Sequence, residues 1–364
     1  MLVSSINGMD SRAELIRNAS VITWDEAPMT NKAVLACMEE VCRLITGEQE
    51  TAFGGKIVIL LGDFRQTCPV IPRGSRAQVV DASIKSSHLW QHFQVFRLTE
   101  LIRNANDNEY AEFLNEIGDG AGPDVELDLL EHVESEEDII SFVFPPHILA
   151  EPSLCLARAI LAPTNAQIGH YNSIILNRLP GECRTYLAAD SLKEANDNNV
   201  VPPGSILDYV ARKPPTGLPP SDLRVKVGAV YRILRNFSVD RGLVKNTRVV
   251  VTELGVRLIT VRILGQQHAG EDILIPRITF TATLKSGHTL IRRQFPLALA
   301  YAVTFHGCQG LTLDRIGVEL TLPVFSHGQL YTALSRIRER GHGVVRVAPN
   351  TSGTTNITYE EILI

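Results

Sequence analysis

The sequence has few cysteines, no long apolar run and no recognisable leader. Its six cysteines form no Cys-x-x-Cys pair and no cluster with histidine, which argues against a zinc site or a disulfide scaffold. No apolar run approaches the roughly 20 residues that cross a membrane. The first residues lack the basic and apolar pattern of a secretory signal and the arginine bias of a transit peptide. These absences predict reduced, mostly buried thiols and a protein of the nucleus or cytosol with no membrane partner.

A complete phosphate-binding loop is also missing from the sequence. Such a loop needs Gly-x-x-x-x-Gly-Lys followed by Ser or Thr, and only Gly54-Gly55-Lys56 approaches that pattern. Position 50 is Glu, position 57 is Ile, and Lys56 opens a predicted strand instead of a helix. We therefore reject this segment as a nucleotide-binding loop.

Charge is distributed unevenly along the chain, whose formal net charge is -5. Residues 205–300 hold 15 Lys and Arg against 6 Asp and Glu, a local balance of +9. A local basic surface is what phosphate binding requires, so we predict a nucleic-acid-binding surface there. Residues 119–138 carry nine carboxylates and no basic residue, which is typical of a solvated linker or insertion.

Apolar periodicity predicts an α/β fold. The runs at 21–24 and 56–61 suit central strands of a parallel sheet that is buried on both faces. Apolar residues at three- and four-residue spacing between them predict a crossover helix that ends at Gly47. A third apolar run lies at 95–98, and a helix over 107–117 is expected to end at Gly118.

The second half of the chain predicts another α/β domain, interrupted by a small β-barrel. A strand at 159–162 and a helix at 165–179 begin this domain. From about residue 225, short alternating strands recur every ten residues or so, after proline-rich segments at 202–203 and 214–220. The α/β pattern returns from residue 297, with strands near 299–304 and 316–320 and a helix at 329–338.

Polar residues follow both predicted strands of the first domain. Asp25 and Glu26 come directly after the first strand, and Gln66 ends the motif Gly62-Asp-Phe-Arg-Gln66 after the second. The carboxyl ends of parallel strands share one sheet edge, where α/β proteins bind ligands. There, one carboxylate can hold a magnesium ion, a second can activate water and a carboxamide can sense a phosphate. A solvated strand end and a polar turn are the alternatives.

Arg103 and Arg336 are candidate arginine fingers, because a guanidinium can meet the charge that builds on phosphoryl oxygens. In the predicted helix, Leu330, Leu334 and Ile337 form the buried stripe and leave Arg336 on its flank. A surface ion pair is the alternative for either arginine.

The turn Thr304-Phe-His-Gly-Cys-Gln309-Gly310 follows another predicted strand, and its glycines allow close approach to a phosphate or a DNA backbone. A structural turn is the alternative. Together with the basic segment, this turn predicts DNA contacts at Thr304, His306, Arg292 and Arg293.

The order of these motifs resembles helicase motifs two to six of the petite-integration-frequency family in superfamily one, and most closely its Helitron-transposon branch. The motifs are Trp24-Asp-Glu-Ala-Pro-Met29, Gly62-Asp-Phe-Arg-Gln66, Leu98-Thr-Glu-Leu-Ile-Arg103, Gln309-Gly-Leu-Thr-Leu313 and Gly328-Gln-Leu-Tyr-Thr-Ala-Leu-Ser-Arg336.

The resemblance implies two RecD-like domains of the P-loop NTPase type, the first incomplete, with an SH3-like β-barrel inserted in the second. The expected segments are 1–105, 106–224, 225–296 and 297–364. ATP and Mg²⁺ are the implied cofactors. The implied roles are a magnesium ligand for Asp25, the catalytic base for Glu26, a phosphate sensor for Gln66, γ-phosphate contacts for Arg103 and Arg336, and coupling of nucleotide to DNA for Gln309 and Gly310.

The implied activity is that of an ATP-dependent DNA helicase that moves 5'-to-3' on single-stranded DNA. It would act as a nuclear monomer on single strands and junctions, in recombination, repair, telomere maintenance or transposition. Three departures from the family pattern are the missing loop upstream of motif two, Leu101 in motif four and Gly307 in motif five, where a lysine is usual. They favour an N-terminally truncated polypeptide, and the alternative is a non-catalytic nucleic-acid-binding relic of a transposon helicase.

Overall fold

A computed structural model describes residues 2–8, 10–99, 102–120, 122–193, 204, 210, 215, 217–265, 270–284 and 287–363. Leu101, the prolines at 202–203 and Pro214, all used in the sequence analysis, lie outside these residues. The chain divides into two compact units, Met1–Ser135 with Thr304–Ile364, and Glu136–Val303. The four segments expected from sequence have other boundaries and stay predictions.

The helices are α1 (Ser11–Asn18), α2 (Lys32–Thr46), α3 (Arg76–Ala82), α4 (Asn108–Asp119), α5 (Glu136–Val143), α6 (Pro146–Leu149), α7 (Asn165–Arg178), α8 (Gln329–Leu334) and α9 (Glu360–Leu363). The strands are β1 (Val21–Trp24), β2 (Ile57–Leu60), β3 (Asp124–Glu126), β4 (Glu131–His132), β5 (Arg158–Ala162), β6 (Arg184–Leu187), β7 (Ala189–Lys193), β8 (Asp222–Val225), β9 (Val230–Ile233), β10 (Arg248–Leu254), β11 (Leu258–Ile263), β12 (Asp272–Pro276), β13 (Ile278–Thr283), β14 (Thr289–Gln294), β15 (Leu297–Leu299), β16 (Ala302–Thr304), β17 (Arg315–Leu320), β18 (Gly343–Val347) and β19 (Gly353–Thr355). Within the described ranges, no helix has the length and hydropathy needed to span a membrane. The six cysteines are free and four of them are buried, as predicted.

In the first unit, β1 and β2 pair in parallel and α2 connects them, which confirms the predicted strand-helix-strand arrangement. The Asn31 side chain caps the start of α2 by accepting a hydrogen bond from the Ala33 N–H. The helix ends at Gly47, which adopts the left-handed conformation with φ 77°.

Only one face of this two-stranded sheet is covered, which corrects the prediction that both faces are buried. Ile22, Trp24, Val58 and Leu60 pack against the core beneath α2. On the other face the exposed fractions are 45% for Val21, 60% for Ile57 and 44% for Ile59. A parallel sheet buries its second face only when another layer packs on it. We call Val21, Ile57 and Ile59 the open face.

The apolar run at 95–98 forms no strand, and its side chains are exposed. Residues 93–99 have no regular secondary structure. Apolar composition alone does not order a strand, because a strand also needs a partner for its backbone groups.

Helix α4 begins after Asp107, whose side chain accepts a hydrogen bond from the Tyr110 N–H. It continues past Gly118 to Gly120, which has φ 82°, so the predicted end at Gly118 is wrong. A Cβ on Gly118 would lie 3.0 Å from ring carbons of Tyr331 in α8. Gly118 therefore permits close helix packing, while Gly120 ends the helix.

The acidic stretch 119–138 is structured, which corrects its interpretation as a linker. β3 pairs with β19, and β4 pairs in parallel with β18, which in turn pairs in parallel with β17. Leu127 and Leu130 between the two short strands are buried. Most carboxylates of this stretch are exposed to solvent. Its backbone is held by strand pairing, and the buried Leu127 and Leu130 pack it against the unit.

Among its described residues, the second unit contains the predicted β5 and α7 and three antiparallel sheets. One sheet has the strand order β12-β11-β10-β9-β15, a second has the order β13-β14-β7, and β6 pairs with β8. The short strands predicted to recur from about residue 225 are present, and they include β9, β10, β11, β12 and β14. Because β7 precedes residue 225, the sheet of β14 includes chain outside the predicted barrel. An SH3-like barrel stays a prediction.

Candidate functional site

Asp25 and Glu26 lie at the carboxyl end of β1, as predicted. The backbone N–H of Glu26 donates to Oδ1 of Asp25 at 2.9 Å. Glu26 has φ 53°, a left-handed conformation that is uncommon outside glycine. Its Oε2 accepts a hydrogen bond from Nε2 of Gln309 at 2.7 Å. The structure thus brings together a predicted base and a predicted coupling residue that are 283 positions apart.

Thr67 also belongs to this site, although the sequence reasoning did not single it out. Its Oγ1 donates to Oε1 of Gln309 at 2.6 Å, and its backbone N–H donates to Oγ1 of Thr332 at 3.1 Å. Both threonines are fully buried. The only sequence signal was the position of Thr67 directly after Gln66, and buried threonines are too common for that to be informative.

Gln66, Arg103 and Arg336 line a single cavity of about 190 Å³, together with polar groups that include Asp63 and Asn115. The Gln66 Oε1 atom is buried and receives no hydrogen bond from the described residues. A buried acceptor without a donor is costly, so this oxygen is suited to a water molecule or a ligand donor in the cavity.

Arg336 is almost completely buried, with 1% exposure, which corrects its predicted place on a helix flank. Helix α8 ends at Leu334, and the chain turns so that Arg336 points inward. Its Nε donates to the Thr332 carbonyl at 2.8 Å and its Nη2 donates to Ser335 Oγ at 2.8 Å. Among the described residues, no carboxylate forms an ion pair with this guanidinium.

Arg103 lies beside Arg336, and its Nη1 donates to the Ser335 carbonyl at 2.7 Å. Burial of its guanidinium and the neighbouring charge of Arg336 lower the pKa of Arg103. Two adjacent guanidinium groups at the wall of a cavity are chemically suited to bind an anion.

The loop 62–66 is held closely against the start of α8. Gly328 has φ 68°, and a Cβ there would lie 2.5 Å from the Gln66 carbonyl oxygen. The Tyr331 hydroxyl donates to Oδ2 of Asp63 at 2.8 Å, and the Arg65 guanidinium lies 4.8 Å from the centre of the Tyr331 ring. These contacts position Gln66 at the cavity.

His327 is a second residue that sequence reasoning missed. Its Nε2 lies 2.8 Å from the Phe64 carbonyl, and its Nδ1 accepts the Tyr359 N–H at 2.7 Å. Burial lowers the pKa of His327, and the neutral ring with its proton on Nε2 satisfies both contacts. His327 thus ties the loop 62–66 to the C-terminal segment.

Lys56 lies outside the site, in agreement with its rejection from sequence. Its Nζ donates to the carbonyls of Arg17 and Ala19 at the end of α1, both at 2.7 Å. A cation at a helix C-terminus compensates its unpaired carbonyls and dipole, which is a structural role.

The turn after β16 is held by Thr304, whose Oγ1 accepts the Gly307 N–H at 3.0 Å. His306 is half-buried and burial lowers its pKa. Gly310 has φ 77°, and a Cβ there would lie 3.7 Å from Oε1 of Glu26. The turn therefore places Gln309 and Gly310 next to Glu26.

DNA contacts are predicted at both Arg292 and Arg293, but the two side chains face opposite sides of β14 and only Arg293 is exposed. Arg292 is fully buried and forms two hydrogen bonds to Asp190, at 2.8 and 2.6 Å, and a third to the Pro219 carbonyl. Arg293 is exposed. Successive side chains of a strand alternate between its faces, so the period of two separates the pair. Arg292 is a core residue and is withdrawn as a DNA contact.

Comparison with known proteins agrees with this fold. The sequence model of the family "PIF1-like helicase" matches residues 2–127, and that of "DNA helicase Pif1, 2B domain" matches residues 215–254. The ATP-dependent DNA helicase PIF1 of Homo sapiens is 32% identical over 326 residues, which are 88% of this chain and 45% of the human protein. The chain is thus similar to the PIF1-like helicases.

Solved structures show the same α/β fold. The crystal structure of Pif1 helicase from Candida albicans matches with a TM-score of 0.70 at 22% identity, over 97% of this chain and 77% of that one. Pif1 helicase from Bacteroides in complex with ADP-AlF3 and ssDNA matches with a TM-score of 0.65 at 23% identity, over 100% and 76%. The chain spans less than half of the human relative's length. The Helitron branch stays a prediction.

Proposed function

We propose that this chain is the part of an ATP-dependent DNA helicase that carries motifs two to six. The observation that supports the proposal most is Arg336, a buried guanidinium without a carboxylate partner among the described residues, which shares a cavity with Arg103 and Gln66. A buried charge is costly until an opposite charge pairs with it. A terminal phosphate presents the negative charge and planar oxygen pairs that guanidinium groups bind best.

The residues of the site fit ATP with Mg²⁺. Arg103 and Arg336 would contact the γ-phosphate, and the free acceptor of Gln66 would orient a water. Asp25 uses Oδ1 for the Glu26 N–H and is otherwise exposed, so Oδ2 can hold the Mg²⁺ shell. Bound Mg²⁺ would neutralise phosphate charge. Glu26 would take the proton from the attacking water.

We further propose that additional polypeptide of the full-length protein covers the open face and supplies the phosphate-binding loop. The sequence contains no Gly-x-x-x-x-Gly-Lys-Ser/Thr loop, and Val21, Ile57 and Ile59 form an exposed aliphatic surface. Parallel sheets are buried on both faces, and two strands alone are only marginally stable. A further layer on this face would complete both the sheet and the nucleotide site.

DNA binding is proposed for the basic surface of the second unit and for the turn at Thr304 and His306. Arg293 is exposed on β14, while other candidate arginines are engaged, as shown by the ion pair of Arg262 with Asp272. The relatives are named as DNA helicases. By resemblance we place the activity in the nucleus, as 5'-to-3' translocation by a monomer in recombination, repair, telomere maintenance or transposition, on single strands and junctions.

A non-catalytic DNA-binding relic is the second candidate, and the missing phosphate-binding loop favours it. Two polypeptides separate the candidates: the chain alone, and the chain extended at its N-terminus by the loop-bearing segment of a relative. Without the loop's backbone N–H groups and lysine, the β- and γ-phosphates lose most of their positioning, so we expect DNA-stimulated ATP turnover only from the extended protein.

In the extended protein, Glu26→Gln should lower turnover by roughly 10²- to 10⁴-fold and leave nucleotide binding intact, because the amide cannot accept the proton. Arg97→Ala, an exposed arginine outside the cavity, is the matched control and should retain turnover. Helicase-like turnover by the chain alone, or by Glu26→Gln, would contradict the assignment. An extended protein that binds DNA but never hydrolyses ATP would establish the relic.

A further inference from the structure

A continuous series of hydrogen bonds joins α8 to the carboxylate of Glu26. Thr332 Oγ1 accepts the Thr67 N–H at 3.1 Å, Thr67 Oγ1 donates to Gln309 Oε1 at 2.6 Å, and Gln309 Nε2 donates to Glu26 Oε2 at 2.7 Å. Three segments far apart in sequence thus converge on one acidic group. Thr67 is the central member and is fully buried.

The chemistry of the groups sets the direction of this series. An ionised carboxylate only accepts hydrogen bonds, so Gln309 must present its NH₂ group to Glu26. Its carbonyl oxygen then faces Thr67 and requires a donor, which the threonine hydroxyl provides. A residue without a donor at position 67 would leave that oxygen unsatisfied, and the carboxamide would lose its preferred orientation.

Burial of the two threonines stabilises this orientation of the Gln309 carboxamide. Thr67 and Thr332 have no exposed surface, so water cannot replace the hydroxyl, and hydrogen bonds in such surroundings reinforce one another. The backbone bond to Thr332 also fixes where the Thr67 side chain lies. The backbone carbonyl of Thr332 in turn accepts a hydrogen bond from Nε of Arg336 at 2.8 Å. One threonine therefore contacts both the cavity arginine and the series that ends at Glu26.

We propose that Thr67 is a positioning residue that holds the Gln309 carboxamide with its NH₂ group on Glu26. Through Thr332, it links the placement of this acidic group to α8 and Arg336. The proposal rests on the proposed function only in treating Glu26 as the base.

The test measures the Gln309 side-chain amide in the full chain, labelled with ¹⁵N-glutamine and assigned from the signals lost in Gln309→Leu. Thr67→Val should accelerate hydrogen exchange of the Gln309 NH₂ group by roughly fivefold to tenfold and shift its resonances, because the bond that orients it is gone. Thr67→Ser retains the hydroxyl, so its Gln309 NH₂ exchange rate should stay within about twofold of that of the wild-type chain. Thr46→Val is the matched control, since that hydroxyl donates to the Cys42 carbonyl in α2, away from the series.

If Thr67→Val does not fold, Thr67→Cys replaces it, because a thiol has similar size and is a weak donor. Faster exchange in the Val or Cys variant, with Thr67→Ser unchanged, supports the proposal. Exchange that is unaltered in the folded Val or Cys variant, or altered equally by Ser, overturns it. The measurement uses no nucleotide, so the absence of ATP hydrolysis would overturn the proposed function and leave this result standing.

Discussion

Arg292 and Arg293 show how completely neighbouring residues can differ in role. Arg292 lies in the core with Asp190, and Arg293 lies on the opposite face of β14 in solvent. A buried guanidinium that pairs with a carboxylate cannot be removed without leaving an uncompensated charge.

Arg292→Ala should therefore lower the free energy of unfolding by about 3 kcal/mol, since Asp190 would lose both hydrogen bonds of the pair. Arg293→Ala is the matched control and should change it by no more than about 0.5 kcal/mol. Urea denaturation followed by circular dichroism measures both values. Equal effects of the two substitutions would show that the strand does not separate the arginines as described.

At the scale of elements, close packing of α4 against α8 shapes the wall of the cavity. Gly118 lies in α4 where a Cβ would be 2.8 Å from Cδ of Arg65 and 3.0 Å from ring carbons of Tyr331. Tyr331 also holds Asp63. The spacing of the two helices therefore bears directly on the loop that carries Gln66.

Gly118→Ala should destabilise the protein by roughly 1–3 kcal/mol, because the added methyl group overpacks this contact. Gly169→Ala is the control: Gly169 lies within α7 with open space around its Cβ position, and alanine should stabilise by about 0.4–1 kcal/mol. Thermal unfolding of both variants tests the pair. Stabilisation by Gly118→Ala would refute the close packing of α4 and α8.

Local elements of this protein were largely predictable. β1, β2, α2, β5 and α7 follow from apolar spacing and end signals, which act within a few residues. The end of α4 was not predictable in the same way. Gly118 and Gly120 are equally good helix terminators by composition, and only the contact with Tyr331 decides that the first is a packing glycine.

At the scale of the whole molecule, the uneven charge is the basis for the proposed DNA binding. The +9 segment at 205–300 lies in a chain whose net charge is -5. Eight described arginines of this segment contact other groups through a ring contact, a hydrogen bond or an ion pair: Arg224, Arg232, Arg235, Arg241, Arg248, Arg262, Arg277 and Arg292. Arg293 forms no ion pair among the described residues.

We expect the chain to bind single-stranded DNA with an affinity that falls by roughly 0.7 log units per log unit of salt for each phosphate contact. Arg293→Ala should lower the slope by about one contact, and sequence preference should be slight because backbone contacts carry little sequence information. Titration of a labelled oligonucleotide at several salt concentrations provides the slope. If the affinity changes neither with salt concentration nor with Arg293→Ala, the basic surface is not the DNA-binding surface.

The amino-acid sequence by itself determined the α/β class, most strands and helices, and the residue types of the candidate site, including Asp25, Glu26, Gln66, Arg103 and Arg336. All of these features follow from local periodicity and from the order of motifs, and both can be read directly from the sequence. Tertiary structure alone decided that Gln309 meets Glu26 across 283 positions, that Thr67 orients it, that Arg336 is buried and that the open face is uncovered. The physical reason is that burial and side-chain hydrogen bonding depend on which distant segments pack together, and no local pattern encodes that choice.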